Sequence, residues 1–214
     1  MTNVIPLPKT ISPKNVSTKT ISEPKAPLKN PRLKPAPHLD TANIPAWLKF
    51  AIAELGQHEV AGSKSNAHIL EYRKIAGIAL DGDDSVVPWC AVFVNAMLAK
   101  AGVKNSNSGL ARSFASSSRF EKLTQPCVGC ITVISSSRGS NSGHVFFYSA
   151  EDGFFFQALG GNQDNGVCLS LFPKSKLVGH YWPKGQVYPH YPLDRPFPLK
   201  KIAALAQAIP VSDA

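Results

Sequence analysis

The chain has 214 residues, 43% of them hydrophobic and 17% charged, a composition that supports a packed core and excludes a fibrous or wholly disordered protein. No window approaches the roughly 18 consecutive apolar residues of a membrane span. Residues 1–30 hold no apolar signal-peptide core, so export by the general secretory route is not expected.

Formal charge is +9, and it is uneven. Residues 1–45 hold seven basic and two acidic side chains, together with nine of the 18 prolines. Each proline removes a donor and blocks helix, and the apolar residues there show no period. Residues 1–44 therefore read as a disordered, basic, Pro-rich tail, either a plain linker or a docking segment. A basic excess suits nucleic acid, anionic lipid or an acidic cell-wall polymer. The tail lacks the interleaved aromatics of a nucleic-acid binder, so no nucleic acid is expected.

The folded part is expected over residues 45–183. Residues 45–56 begin with Pro, end with Gly and carry apolar positions at Trp47, Leu48, Ala51, Ile52 and Leu55, which predicts an amphipathic helix. A second helix is predicted over residues 66–76. Residues 88–102 again start with Pro and end with Gly, and they are apolar almost all round, the mark of a central buried helix. A polar loop and short helix (108–120) lead to strands predicted over 129–134, 144–149, 154–159 and 167–172, separated by Ser/Gly/Asn clusters and the turn at Asp152-Gly153. Helices first and an antiparallel meander second means α+β. Residues 184–214 read as a second Pro-rich tail with one short helix over 199–209.

Cys90 opens the buried helix, where backbone N–H groups and the positive end of the dipole favour thiolate over thiol. His144 begins an apolar strand, a place from which a ring can face a cleft as general base. Asn162 ends the next strand in Leu159-Gly-Gly-Asn-Gln163. A hairpin centred on Gly153 sets it across from His144, where its carboxamide would accept the ring N–H; a bulge at Gly160-Gly161 is needed to keep that alignment. Gln157 and Asp164 are weaker candidates for the orienting role.

Pro88-Trp89-Cys90-Ala-Val-Phe-Val-Asn, Gly143-His144-Val, Leu159-Gly-Gly-Asn-Gln163 and Gly179-His-Tyr-Trp-Pro183 resemble the NlpC/P60 and CHAP superfamily of papain-like peptidoglycan hydrolases, in the branch with a Leu-Gly-Gly-Asn-Gln box. The segment from Gly56 to Gly62 resembles the start of that branch. The resemblance implies a papain-like fold and hydrolysis of an amide bond in cell-wall peptide, by an amidase or endopeptidase. Cys90 would attack the carbonyl with its own N–H as oxyanion donor, His144 would carry the proton, and Asn162 would orient the ring. Trp89 and Glu59 would contact substrate. No metal and no cofactor is required.

The chain departs from the family at Gly160, where many CHAP enzymes carry Glu, and at Cys130, where many relatives carry Asp. The implied partner is bacterial peptidoglycan, with a secretion-machinery carrier and a cognate immunity protein if the chain is an antibacterial effector delivered by a type VI-like route. A phage endolysin, a non-catalytic peptidoglycan-binding module and a thioester acyltransferase are the alternatives. The protein is expected to be monomeric, made in the cytoplasm and active in the periplasm or wall of a target cell.

Other motifs read as structural. Cys127-Val-Gly-Cys130 lacks a second ligand pair for zinc. Asp81-Gly-Asp-Asp84 lacks the spacing of a calcium loop. Ser116–Ser118 and Ser135–Ser137 lie in no nucleophile elbow, and His58, His68, His180 and His190 show no partner.

Overall fold

The computed structural model describes residues 44–60, 65–80, 82, 85–137, 139 and 142–188. Both predicted tails fall outside these residues, save 44 and 184–188, as do His190 and the acidic residues of the 81–84 loop. Among the described residues four α-helices come in order: α1 (Ala46–Ala53), α2 (Ala67–Ala76), α3 (Cys90–Lys100) and α4 (Ser113–Ser116). Six strands come after α4: β1 (Phe120–Leu123), β2 (Ile131–Ser135), β3 (Gly143–Glu151), β4 (Phe155–Gln163), β5 (Gly166–Pro173) and β6 (Leu177–Pro183). They form one antiparallel sheet in the order β1-β6-β2-β3-β4-β5. The α+β class is as expected; β1 and β6 were not foreseen as strands. No helix among the described residues is long and apolar enough to cross a membrane.

The helices start where local chemistry allows. The Pro45 carbonyl accepts from the Leu48 and Lys49 N–H groups at 3.0 and 3.2 Å to open α1. Asn66 caps α2, its side chain accepting from the His68 N–H at 2.7 Å, an arrangement worth about 1 kcal/mol. Helix α3 has no side-chain cap, and residues 90–98 are all buried. Each large apolar side chain there contributes about 1.5–3 kcal/mol by leaving water, which outweighs a missing cap. One face of the sheet receives α3: Phe93 meets Phe147 of β3 edge to face, with centroids 6.4 Å apart.

Side chains alternate along a strand, so Phe146 and Tyr148 turn to the opposite face. There Phe146 stacks on Phe172 of β5 at 5.5 Å, and the His180 ring lies 5.4 Å from that of Phe156. This face is buried as well, and side chains of β3 and β5 meet there across β4.

An ionic cluster around the buried Glu54 ties the helices together. Glu54, at the end of α1, accepts from Lys100 Nζ at 2.7 Å and Tyr72 Oη at 2.8 Å, and lies 3.2 Å from His68 Nδ1. Burial raises its carboxyl, but these partners together outweigh burial and hold it below the usual carboxylate range. Residues past the expected boundary at 183 also join the domain. Trp182 Nε1 donates to the Gln186 carbonyl at 3.0 Å, Tyr188 stacks on Trp182 at 5.2 Å, and the Tyr188 hydroxyl meets Glu121.

Candidate functional site

Cys90 is the first residue of α3 and is 5% exposed. The helical ladder opens with the Phe93 N–H donating to the Trp89 carbonyl at 2.9 Å. His144 is the second residue of β3 and is half-buried. Its ring shares the face of Phe146 and Phe172, with the Phe172 centroid 4.9 Å away. It lines a cleft of about 530 Å³ together with Ser135, Gln163, Asp164, Phe172 and Lys176. Cys90 does not line this cleft.

The residue against His144 is Gln163. Its Oε1 lies 3.0 Å from His144 Nε2. Its amide nitrogen donates to the Cys168 carbonyl at 2.7 Å and lies 3.4 Å from that of Ala158. Two carbonyls can only accept, so they fix which end of the amide is nitrogen and turn the oxygen toward the ring. That oxygen in turn requires a proton on Nε2, which leaves Nδ1 as the basic nitrogen of the neutral imidazole.

Asn162 does something else, and the orienting role assigned to it is corrected accordingly. Its Nδ2 donates to Glu59 Oε1 at 2.9 Å. The cause is a bulge: the β4–β5 register shifts between Gly160 and Gln163, with Asn162 at φ 57°. An extra residue in one strand reverses the facing of the residues after it, and so delivers Gln163 to the ring. Two glycines make this geometry fit. A Cβ on Gly160 would lie 2.7 Å from Gln163 Oε1, and one on Gly161 would lie 2.3 Å from Trp89 Cζ3. Beyond the bulge, Asp164 and Asn165 (φ 48° and 60°) make the two-residue hairpin turn, both in the left-handed region that such turns demand.

Trp89 is also corrected as a substrate contact, since its side chain is fully buried and its Nε1 donates to Glu59 Oε1 at 2.7 Å. Glu59 is half-buried, and one of its oxygens is thereby engaged by two groups of the protein itself. Its segment runs along the edge of β5: Gly56 N–H donates to the Val167 carbonyl, Val167 N–H to that of Gln57, and Glu59 N–H to that of Asn165, at 2.7–3.0 Å.

Of the other candidates, Asp164 sits in the hairpin turn beside Gln163 and lines the same cleft. Gln157 is buried in β4, and neither end of its amide has a hydrogen-bond partner. Cys130 is buried beside Thr132 and His180, and burial together with neighbouring Cys127 pushes its thiol well up. His180 Nδ1 lies 2.9 Å from Thr132 Oγ1. Burial, with a smaller effect from Lys174, pushes His180 down to about 4, which keeps it neutral. No group of three metal-ligating side chains occurs among the described residues.

The sequence carries a signal for the bulge, though not for which of its residues the bulge presents to the ring. Gly160-Gly161-Asn162 combines two residues without side chains and one tolerant of positive φ, the composition of a bulge. The chain matches no family model, no curated protein and no solved structure.

Proposed function

We propose that this protein is a cysteine-dependent hydrolase of amide bonds in peptidoglycan stem peptides. Cys90 is the nucleophile, His144 the general base and acid, and Gln163 the group that orients the imidazole. The observation carrying this reading is the hydrogen bond between His144 Nε2 and a Gln163 oxygen whose orientation two backbone carbonyls dictate. A ring held in one tautomer, with Nδ1 basic, is what a thiol needs from its base. Cys90 starts a helix, where the dipole favours the anion, and that helix packs on the strands that carry His144 and Gln163.

The chemistry runs in two halves. Proton transfer from Sγ to Nδ1 gives the thiolate, which attacks the amide carbonyl carbon and forms a tetrahedral oxyanion. Collapse breaks the C–N bond as the imidazolium gives its proton to the departing amine, leaving a thioester. Water then attacks the thioester carbon while Nδ1 takes its proton, and the released thiolate recovers that proton as the carboxylic acid leaves. The cleft beside His144 supplies room for a peptide, with hydroxyls of Ser135 and Ser170 and opposite charges on Asp164 and Lys176 along its walls. The basic surplus of residues 1–45 suits an acidic wall polymer, and an antibacterial effector delivered into a target cell is the context this reading assigns to it.

Purified protein should release soluble fragments from peptidoglycan, with new amine and carboxyl ends, and Cys90→Ala should not. Equal release by both proteins would refute the mechanism. A product carrying an acceptor amine in place of a free carboxylate would instead establish acyl transfer.

A further inference from the structure

We propose that Glu59 is a positioning residue, whose carboxylate clamps the start of α3 to the β4 bulge and thereby sets the spacing between Cys90 and the His144–Gln163 pair. The inference rests on the cysteine-hydrolase reading and replaces the expected contact between Glu59 and substrate.

Three chain segments meet at one oxygen. Glu59 Oε1 accepts from Trp89 Nε1 at 2.7 Å and from Asn162 Nδ2 at 2.9 Å. Trp89 immediately precedes Cys90, and Asn162 immediately precedes Gln163. A carboxylate strengthens both bonds, because charge-assisted hydrogen bonds are about twice as strong as neutral ones. Glu59 is itself anchored, through its segment's backbone bonds to β5.

The parts it joins have little slack. The Trp89 ring sits under Gly161 with no room for a methyl group between them, and it packs near Tyr72 and Phe93 at 6.2 and 6.4 Å between centroids. The bulge, by contrast, is where the β4–β5 pairing is interrupted. It is therefore the part that the Glu59 bond must hold. Without the carboxylate, the Asn162 amide loses its partner and the bulge can relax away from α3. A misplacement of about 1 Å at a reacting pair costs roughly 100-fold in rate.

The test uses the full chain and two readouts: release of fragments from peptidoglycan, and the pH profile of Cys90 alkylation by iodoacetamide measured by peptide mass spectrometry. Glu59→Ala should lower kcat roughly 10- to 100-fold with little change in KM, and move the acid limb of Cys90 alkylation to higher pH. Glu59→Gln keeps an acceptor oxygen and should restore most of both. Asn162→Ala, which removes one arm without touching α3, should reproduce the direction of the effect. The double variant should be no worse than Glu59→Ala alone.

A merely structural Glu59 would lower the melting temperature and leave the alkylation profile of the folded protein unmoved; that result overturns the proposal. So does a silent Asn162→Ala, or a double variant whose losses multiply. Failure of the underlying reading looks different: wild-type Cys90 would itself show no alkylation well below pH 8.

Discussion

Substituting Gln163 with Ala removes the carboxamide oxygen that orients the His144 ring, and its cost can be worked from the structure. When Cys90 gives up its proton the ring becomes an imidazolium, and the 3.0 Å bond to Gln163 Oε1 becomes charge-assisted. A hydrogen bond to a charged group contributes about 1.5–3 kcal/mol, or roughly 10- to 150-fold in rate. Turnover of peptidoglycan by Gln163→Ala should fall by that factor. The alkylation rate of Cys90 near pH 6 should fall in parallel, because the thiolate–imidazolium pair is less stable there. The variant also loses the amide bonds to the Cys168 and Ala158 carbonyls, so urea unfolding should show a loss of about 1–3 kcal/mol. Rates are therefore compared on the folded fraction. A variant within twofold of wild type in both turnover and low-pH alkylation would refute the role given to Gln163.

Packing and burial set two further outcomes. Gly161→Ala places a methyl 2.3 Å from the Trp89 ring and 2.7 Å from Phe93 Cβ; overpacking of this kind costs about 1–3 kcal/mol, and an unchanged melting temperature would show that the Trp89–bulge contact is loose. His180 is held at about 4 against an ordinary value of 6.5. The unfolded chain therefore binds the extra proton between these limits, and stability should fall as pH drops from 6.5 to 4, by about 3 kcal/mol in all. His180→Asn should flatten that slope in urea titrations. The same slope in both proteins would mean that the ring is not buried neutral.

How much of the molecule is legible in its sequence varies with the physics involved. Helices α1, α2 and α3 are legible because Pro, Gly and apolar spacing mark their ends and faces, and all three lie within the predicted bounds. The strands β2 to β5 are legible from β-branched and aromatic runs between turn residues. Strand β6 escapes because Gly179, His180 and Pro183 are poor strand formers; pairing with both β1 and β2 supplies what local propensity does not.

At the site, Cys90 and His144 stand out by their places at the start of a helix and of a strand. The exchange of Asn162 for Gln163 is hidden. Facing along a strand is a matter of counting residues, and two irregularities change the count: one in β3–β4 between Tyr148 and Ala150, the other in β4–β5 between Gly160 and Gln163. The sequence points to a bulge as the device that would bring Asn162 to the ring. The bulge that forms turns Asn162 toward Glu59 instead and presents its neighbour. The Trp89–Glu59 bond is equally invisible, since 30 positions and the whole of α2 separate its partners.

Treatment with a short bifunctional alkylator, 1,3-dibromoacetone, with peptide mass spectrometry of the product, asks directly whether thiol and imidazole meet. One reagent molecule should bridge Cys90 Sγ to His144, and release of peptidoglycan fragments should stop in step with the bridge. Modification confined to Cys127, Cys130 or Cys168, or a Cys90 adduct that never reaches His144, would contradict the pairing on which the proposed chemistry depends.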